Sequence, residues 1–345
     1  MNNSNFVLVV TIFIIVMMVS TRCQRSENQN NLLISVDVTA NYPKKELILQ
    51  DFMEVEYIPL ETTDDFITMA YVQDIGKNII IVRNRNKSSD GDIFLFDKSG
   101  KGLRKINHQG PGVGEYKFLM QITLDEENDE LFINDHQSRK IFVYDMFGRY
   151  KRSFDHREGS IYDPVYNFDK NNLICLDYIT DFEEEPRNRF FIISKLDGSV
   201  TKEIEIPVKS KKSTVLISKD ETTGTTTVSA ARNQELIRNN KNWILVDPSS
   251  DTIYSAQPDL SVNPFIIRSP SIQSMNPEIF LFPGVVTNRY YFMQTARKEY
   301  NFATDTGFPR TDLMYDKQEK AIYEYVVYNE DLTINKPVNM VYEII

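Results

Sequence analysis

The sequence predicts an all-β fold, a β-propeller of about six blades, each a four-stranded antiparallel sheet. Three observations carry this reading. Short alternating apolar runs rich in Ile, Val, Phe and Tyr are separated by turn residues, with little helical periodicity past the N-terminus. One run, Asp92 to Gly100 (DIFLFDKSG), recurs as Lys140 to Gly148 (KIFVYDMFG), so that Ile93, Phe94, Asp97 and Gly100 return 48 residues later as Ile141, Phe142, Asp145 and Gly148. A period of 40 to 50 residues made of strands marks propeller blades, which bury their faces by stacking around an axis.

Each repeat reads as a hairpin. Asp at the first turn position accepts backbone N–H bonds and Gly at the fourth relieves the exit, as a type I turn requires. A second strand follows, Gly102 to Ile106 in one copy and Arg149 to Phe154 in the other. A third copy at Phe190 to Thr201 keeps the Gly, at Gly198, but shifts the Asp to Asp197. Weaker echoes lie at Trp243 to Asp247 with Asp251 to Tyr254, and at Leu313 to Asp316 with Ala321 to Tyr323. The expected blade frames are 65–107, 118–155, 162–207, 213–268 and 279–328. A sixth is expected from N-terminal strands, including Glu54 to Leu60, together with Val338 to Ile345, so that the two ends close the ring.

The N-terminus reads as an export signal. Phe6 to Val19 is an almost unbroken apolar run, too short for a comfortable membrane span, followed by Ser20, Thr21, Arg22 and Cys23. The preceding Met1 to Asn5 carries no Lys or Arg. Cys23 resembles the acceptor cysteine of bacterial lipoproteins, where acyl chains hold the mature protein on a membrane. Arg22 departs from the small residue expected there, and a soluble periplasmic product is the alternative. The expected organisation is a signal peptide at 1–22, a tether and first strand at 23–49, and the propeller at 50–345. With Cys23 acylated, Cys175 in the apolar stretch Leu173 to Leu176 has no disulfide partner and is expected as a small buried residue.

The segment Gly110 to Tyr116 (GPGVGEY), followed by Asp135 to Asp145 (DHQSRKIFVYD), resembles an NHL-type repeat. With Val55 to Thr62 (VEYIPLET) it resembles more narrowly the six-bladed β-propeller lipoproteins of Bacteroidetes, departing from their Gly-Pro-Gly-Glu-Tyr by the insertion around Val113. The resemblance is specific over residues 50 to 155 and diffuse beyond. It implies an outer-membrane or periplasmic propeller and brings no catalytic residues with it.

Composition and motifs narrow the chemistry. A formal charge of −10 opposes general nucleic-acid binding, which needs a basic surface. Gly110 to Tyr116 lacks the Lys-Ser/Thr ending of a phosphate loop and precedes a strand, so it reads as a connection between blades, with Tyr116 plugging the gap. His108, His136 and His156 are the candidate ligand-binding residues; their spacing forms no metal motif, and solvated loop histidines are the plainer reading. Asp125 to Glu130 lacks the Gly and the terminal Glu of a calcium loop and reads as a solvated turn. Asp181 to Pro186 reads as an exposed loop. Lys209 to Ser213 with the Thr-rich Lys219 to Ser229 is expected as a long loop on one ring face.

No nucleophile motif, cofactor motif or metal set is identifiable. The expected function is a non-enzymatic binding or scaffolding propeller that recognises a protein, peptide or glycan through loops on one ring face. Tyr162, Tyr166 and Tyr178 are candidate contacts that suit the core equally well. The alternative is an envelope lyase or hydrolase whose carboxylates or histidines converge at the axial channel, since propeller partners on different blades leave no local trace.

Overall fold

The computed structural model describes residues 33–54, 56–84, 90–178, 187–231 and 233–328, and the backbone of 334–335. Among the described residues there are five four-stranded antiparallel blades in chain order, and the frames of all but the fourth match those expected from the repeat. The first blade comprises Tyr71–Ile75, Ile79–Arg83, Ile93–Asp97 and Gly102–Ile106, and the second Gln121–Asp125, Glu130–Asp135, Lys140–Asp145 and Tyr150–Asp155. The third comprises Tyr162–Asn167, Asn172–Asp177, Phe190–Ser194 and Val200–Ile204. The fourth uses Leu236–Asn239, Asn242–Leu245, Thr252–Ala256 and Val262–Ser269, and the fifth Ile279–Val286, Tyr290–Arg297, Arg310–Asp316 and Ala321–Tyr328.

The repeat turns form for the expected reason. Asp97 Oδ1 accepts the N–H groups of Ser99 (2.9 Å) and Lys101 (3.0 Å), and Asp145 Oδ1 those of Phe147 and Arg149 (both 2.8 Å). Gly100 and Gly148 both sit at φ +83°, a left-handed conformation that a Cβ disfavours.

Blades bury their faces against one another. Ile81, Ile93 and Leu95 of the first blade pack with Ile122, Leu131 and Ile133 of the second, and fully buried Tyr116 fills the seam between them. Its hydroxyl donates to the Gly91 carbonyl at 2.6 Å, so the ring is buried without an orphaned polar group. Comparable clusters join the second blade to the third, the third to the fourth and the fourth to the fifth. Cys175 is fully buried in the cluster between the second and third blades, as a small apolar residue.

The remaining faces of the fifth and first blades are covered by one stretch of chain. Leu49, Phe52 and Met53 pack on Tyr290, Phe292, Met314 and Tyr325, with the Phe52 ring 5.5 Å from Tyr290 and 5.6 Å from Phe292. A few residues on, Ile58, Leu60 and Phe66 pack on Ile80, Val82, Phe94 and Phe96. Covering such side chains is worth roughly 1.5 to 3 kcal/mol each.

Three expectations are corrected. Glu54 and 56–60 form no strand; Pro59 and the packing of Ile58 and Leu60 onto the first blade hold the segment as irregular chain. The N-terminal strands are instead Ile34–Asp37 and Lys44–Ile48, which add parallel to the outer strands of the fourth and fifth blades. Residues 338–345 lie outside the described residues. The expected long loop is a β-hairpin, Val215–Lys219 paired with Thr226–Ala230, and it stands apart from the fourth blade whose frame was drawn to include it. The turn at Asp125 to Glu130 is present, with Glu127 and Asp129 exposed as expected, but its other three acids are paired rather than solvated. Asp125 is bonded to Lys195 at 2.5 Å, Glu126 accepts the N–H groups of Lys77, Asn78 and Ile79 at 2.7 to 2.9 Å, and Glu130 forms a two-pronged pair with Arg152 at 2.7 Å. Alternation of carboxylates along the sequence does not show partners on a neighbouring blade.

Candidate functional site

A cavity of about 600 Å³ opens on one ring face, where the first strands of the second, third and fourth blades begin and their second strands end. Met120 and His136 come from the second blade; Asp163, Tyr166, Leu176, Tyr178, Arg187 and Arg189 from the third; Leu236, Asp247 and Ser249 from the fourth. Lys211, Lys212 and Val215 at the foot of the hairpin, with Ala230 and Ala231, close the side wall.

The wall is preorganised by charge pairs. Arg189, nearly buried, meets Glu235 at 2.5 Å across the seam between the third and fourth blades. Arg187 reaches the fully buried Asp177 at 3.2 Å while keeping 43% of its side chain exposed. Asp177 is also held by the Ser160 hydroxyl at 2.6 Å. Such charge-assisted bonds fix side-chain direction, which a binding wall requires. Tyr166 stacks on Trp243 at 5.2 Å, bridging the third and fourth blades, and Tyr178 is 38% exposed at the mouth.

His136 and Asp163 form the titratable centre of the cavity, with His136 Nε2 4.0 Å from Asp163 Oδ2. Burial raises the Asp163 carboxyl above its ordinary range, and the adjacent imidazole pulls the other way. His136 is oriented from behind: its Nε2 lies 3.0 Å from the Tyr162 carbonyl and so donates, sharing that oxygen with Asn134 Nδ2 at 2.7 Å. Asn134 Oδ1 accepts in turn from His156 Nε2 at 2.9 Å, since the Tyr162 N–H occupies His156 Nδ1 at 3.3 Å.

Of the three candidate histidines, only His136 lines the cavity. His108 stacks on Tyr144 at 5.1 Å in the first seam. His156, 48 residues later, sits in the equivalent second seam, 4.8 Å from the Tyr162 ring and 6% exposed, and burial drives its imidazole down to about 3. These two are therefore not solvated loop residues but repeat-related packing elements. Among the described residues no three His, Cys, Asp or Glu side chains are grouped to hold a metal.

Tyr162 is fully buried in the core, whereas Tyr166 and Tyr178 reach the cavity. In Gly110 to Tyr116 the Glu115 carboxylate accepts the Gly112 N–H at 2.7 Å, filling the position an anion would take. Cys23, the apolar run 6–19 and the acidic loop 181–186 lie outside the described residues. Sequence reasoning missed Asp163, Arg187, Arg189 and Glu235, which match no local motif and converge only through blade stacking.

No curated protein matches the sequence. Among solved structures, a Bacteroides fragilis protein whose name describes an inferred export is similar at a TM-score of 0.55 and 15% identity, over 85% of this chain and 80% of that one. A DUF4221-family protein of Bacteroides vulgatus aligns at a TM-score of 0.43 and 10% identity, over 82% of each chain. A family model described as a 6-bladed beta-propeller matches residues 23–343. With that span added to blades already counted in order around a shared set of seams, the chain belongs to the 6-bladed beta-propeller family.

Proposed function

We propose that the protein is an exported binding propeller of the bacterial cell envelope, held to a membrane through lipid on Cys23, that captures a protein, peptide or glycan on the ring face bearing the cavity. The cavity carries this reading: three blades and a hairpin converge on it with two accessible tyrosines, paired guanidinium groups and an apolar floor, the mixture that small-molecule and peptide sites use. The apolar run before Cys23 and the name of the Bacteroides fragilis neighbour support export.

The test is site-specific photocrosslinking in living cells. A benzophenone side chain at Tyr178 or Arg187 is expected to trap a discrete adduct that the same group at Lys98, in a solvent turn of the first blade, does not. Equal labelling at all three positions, or none, overturns the reading. The enzyme alternative draws on His136 and Asp163, a titratable pair in the cavity lining whose carboxyl is raised by burial. Turnover of a glycan, lactone or peptide by purified protein, abolished in Asp163→Asn, would replace binding with catalysis. Fractionation tests the anchor: Cys23→Ala should move the protein out of the membrane fraction, and an unchanged distribution removes the lipid from the proposal.

A further inference from the structure

The hairpin beside the cavity has an open edge. Its ladder is fixed at both ends, where the Ala231 N–H donates to the Thr214 carbonyl and the Asp220 N–H to the Thr225 carbonyl, both at 2.9 Å. Hydrogen-bonded pairs alternate in an antiparallel ladder, so Leu216 and Ser218 direct their backbone groups at the partner strand. Val215, Ile217 and Lys219 direct theirs outward. The Val215 N–H is taken by Ser213 Oγ at 3.1 Å, and among the described residues no strand pairs with this edge. The opposite strand carries a side-chain contact from a second hairpin, Tyr300–Asn301 with Thr306–Gly307, where Gly307 lies against Ser229.

Natural edge strands are usually guarded by charge, proline or a bulge. This one carries Lys219 at its far end and otherwise exposes Val215 and Ile217, the latter 69% exposed, with cross-strand Val228 at 66% on the same face. Leu216 points the other way, into the core between the fourth and fifth blades. The edge begins at Val215 in the cavity wall, so a strand laid along it runs into the cavity mouth.

Charge identifies the occupant. In a chain of formal charge −10, the stretch from Lys209 to Lys219 holds Lys209, Lys211, Lys212 and Lys219 with no acid; Lys209 and Lys219 are exposed, whereas Lys212 meets Glu278 at 3.4 Å and Arg187 and Arg189 of the cavity wall are paired with Asp177 and Glu235. A second copy pairing along the same edge would bring like lysines together and join two bodies of like net charge. An acidic extended segment instead sets its carboxylates beside these lysines.

We propose that the Val215–Lys219 edge is a strand-addition site for an extended acidic peptide segment of a partner protein, which pairs with Ile217 and places its carboxylates toward Lys211, Lys212 and Arg187. Main-chain bonds supply affinity and the lysine-rich wall supplies selectivity. This rests on the cavity face being the binding face.

The probe is a capped seven-residue peptide alternating Glu with Val, titrated by calorimetry into the purified full chain, beside its Lys-Val counterpart and a fully N-methylated copy. The acidic peptide is expected to bind, with the Lys peptide and the N-methylated copy each at least tenfold weaker. Ile217→Pro removes an outward N–H that the hairpin ladder does not use, and should weaken binding at least tenfold, while Ile217→Val retains it. Lys211→Glu with Lys212→Glu should reverse the preference toward the Lys peptide.

Binding unaffected by N-methylation and by Ile217→Pro overturns strand addition, as does an Ile217→Pro-sensitive dimer in sedimentation. Absence of peptide binding overturns it too. If Tyr178 and Arg187 crosslinks still form in that case, only the strand-addition site falls; if they are also absent, the binding face falls with it.

Discussion

The carboxamide of Gln121 is bonded to both main-chain groups of Val165, accepting its N–H at 2.7 Å and donating to its carbonyl at 2.8 Å. The two residues lie on the first strands of the second and third blades, so one side chain completes a ladder that the blades cannot form directly. Gln73, 48 residues earlier, accepts the Ile122 N–H at 3.2 Å in the preceding seam. Gln121→Leu leaves the Val165 N–H without this acceptor and should cost about 1 to 3 kcal/mol. Urea unfolding should show a lowered midpoint with an unchanged slope. A variant as stable as wild type would mean that this bond contributes little to the seam.

A second link across the same two blades is ionic. Lys195 Nζ meets Asp125 Oδ2 at 2.5 Å and the Asp169 carbonyl at 2.6 Å, with both side chains almost wholly buried. Lys195→Met strands the Asp125 carboxylate and should cost about 3 to 5 kcal/mol, whereas a buried pair replaced on both sides is often near neutral. The double variant Lys195→Met with Asp125→Leu should therefore recover much of the loss. Thermal melts of the two single variants and the double variant decide this, and strict additivity would show that the two groups are not coupled.

Acid sensitivity follows from His156. Its imidazole is held down to about 3 by burial, against an unfolded value near 6.5. Between those values the unfolded chain binds a proton that the folded chain refuses, so stability rises with pH in this window and is lost as pH falls from about 6.5 toward 3. The slope attributable to this one group is about 1.4 kcal/mol per pH unit. Asp316, fully buried beside Arg289 and Lys45, has its carboxyl well below the usual range and adds acid sensitivity only below about pH 4. His156→Gln should flatten the pH 6.5 to 4 limb of the unfolding curve and leave the lower limb in place. An unchanged upper limb would assign it to another group.

How much of this was legible in the sequence depends on whether a feature repeats. Asp97, Gly100, Asp145 and Gly148 announce their turns because turn chemistry is local and returns at a fixed interval. Tyr116 was legible as a seam plug from the glycine-rich connection it ends. Asp163, Arg187 and Glu235 were not, because each enters the cavity from a different strand end and no interval links them. His156 and His108 are repeat-related by 48 residues, a sign of packing rather than binding that could have been read directly from the sequence. The hairpin was hidden by composition: the polar outward positions of Thr226 and Lys219 mask the alternation that places Leu216 inward.

Two glycines with the same turn and the same φ of +83° should respond very differently to substitution. At Gly148 an added Cβ would lie 3.1 Å from Ile106 Cγ2, a contact that a small shift relieves, so Gly148→Ala should cost about 1 to 2 kcal/mol from backbone strain alone. At Gly100 the Cβ would collide with the Pro59 carbonyl oxygen, because the segment covering the first blade runs directly over the turn. The same segment is clipped there by the Glu61 N–H on the Gly100 carbonyl at 2.8 Å and by the Gly102 N–H on Glu61 Oε2 at 2.7 Å. Gly100→Ala should therefore lift residues 58–61 and expose Ile80, Val82, Phe94 and Phe96, lowering stability by several times the Gly148→Ala effect. Hydrogen exchange should locate the loss of protection at the Glu61 amide and the first blade, with the second blade unchanged. Equal destabilisation by the two variants, with no local change in exchange, would show that the segment does not hold the free face of the first blade shut.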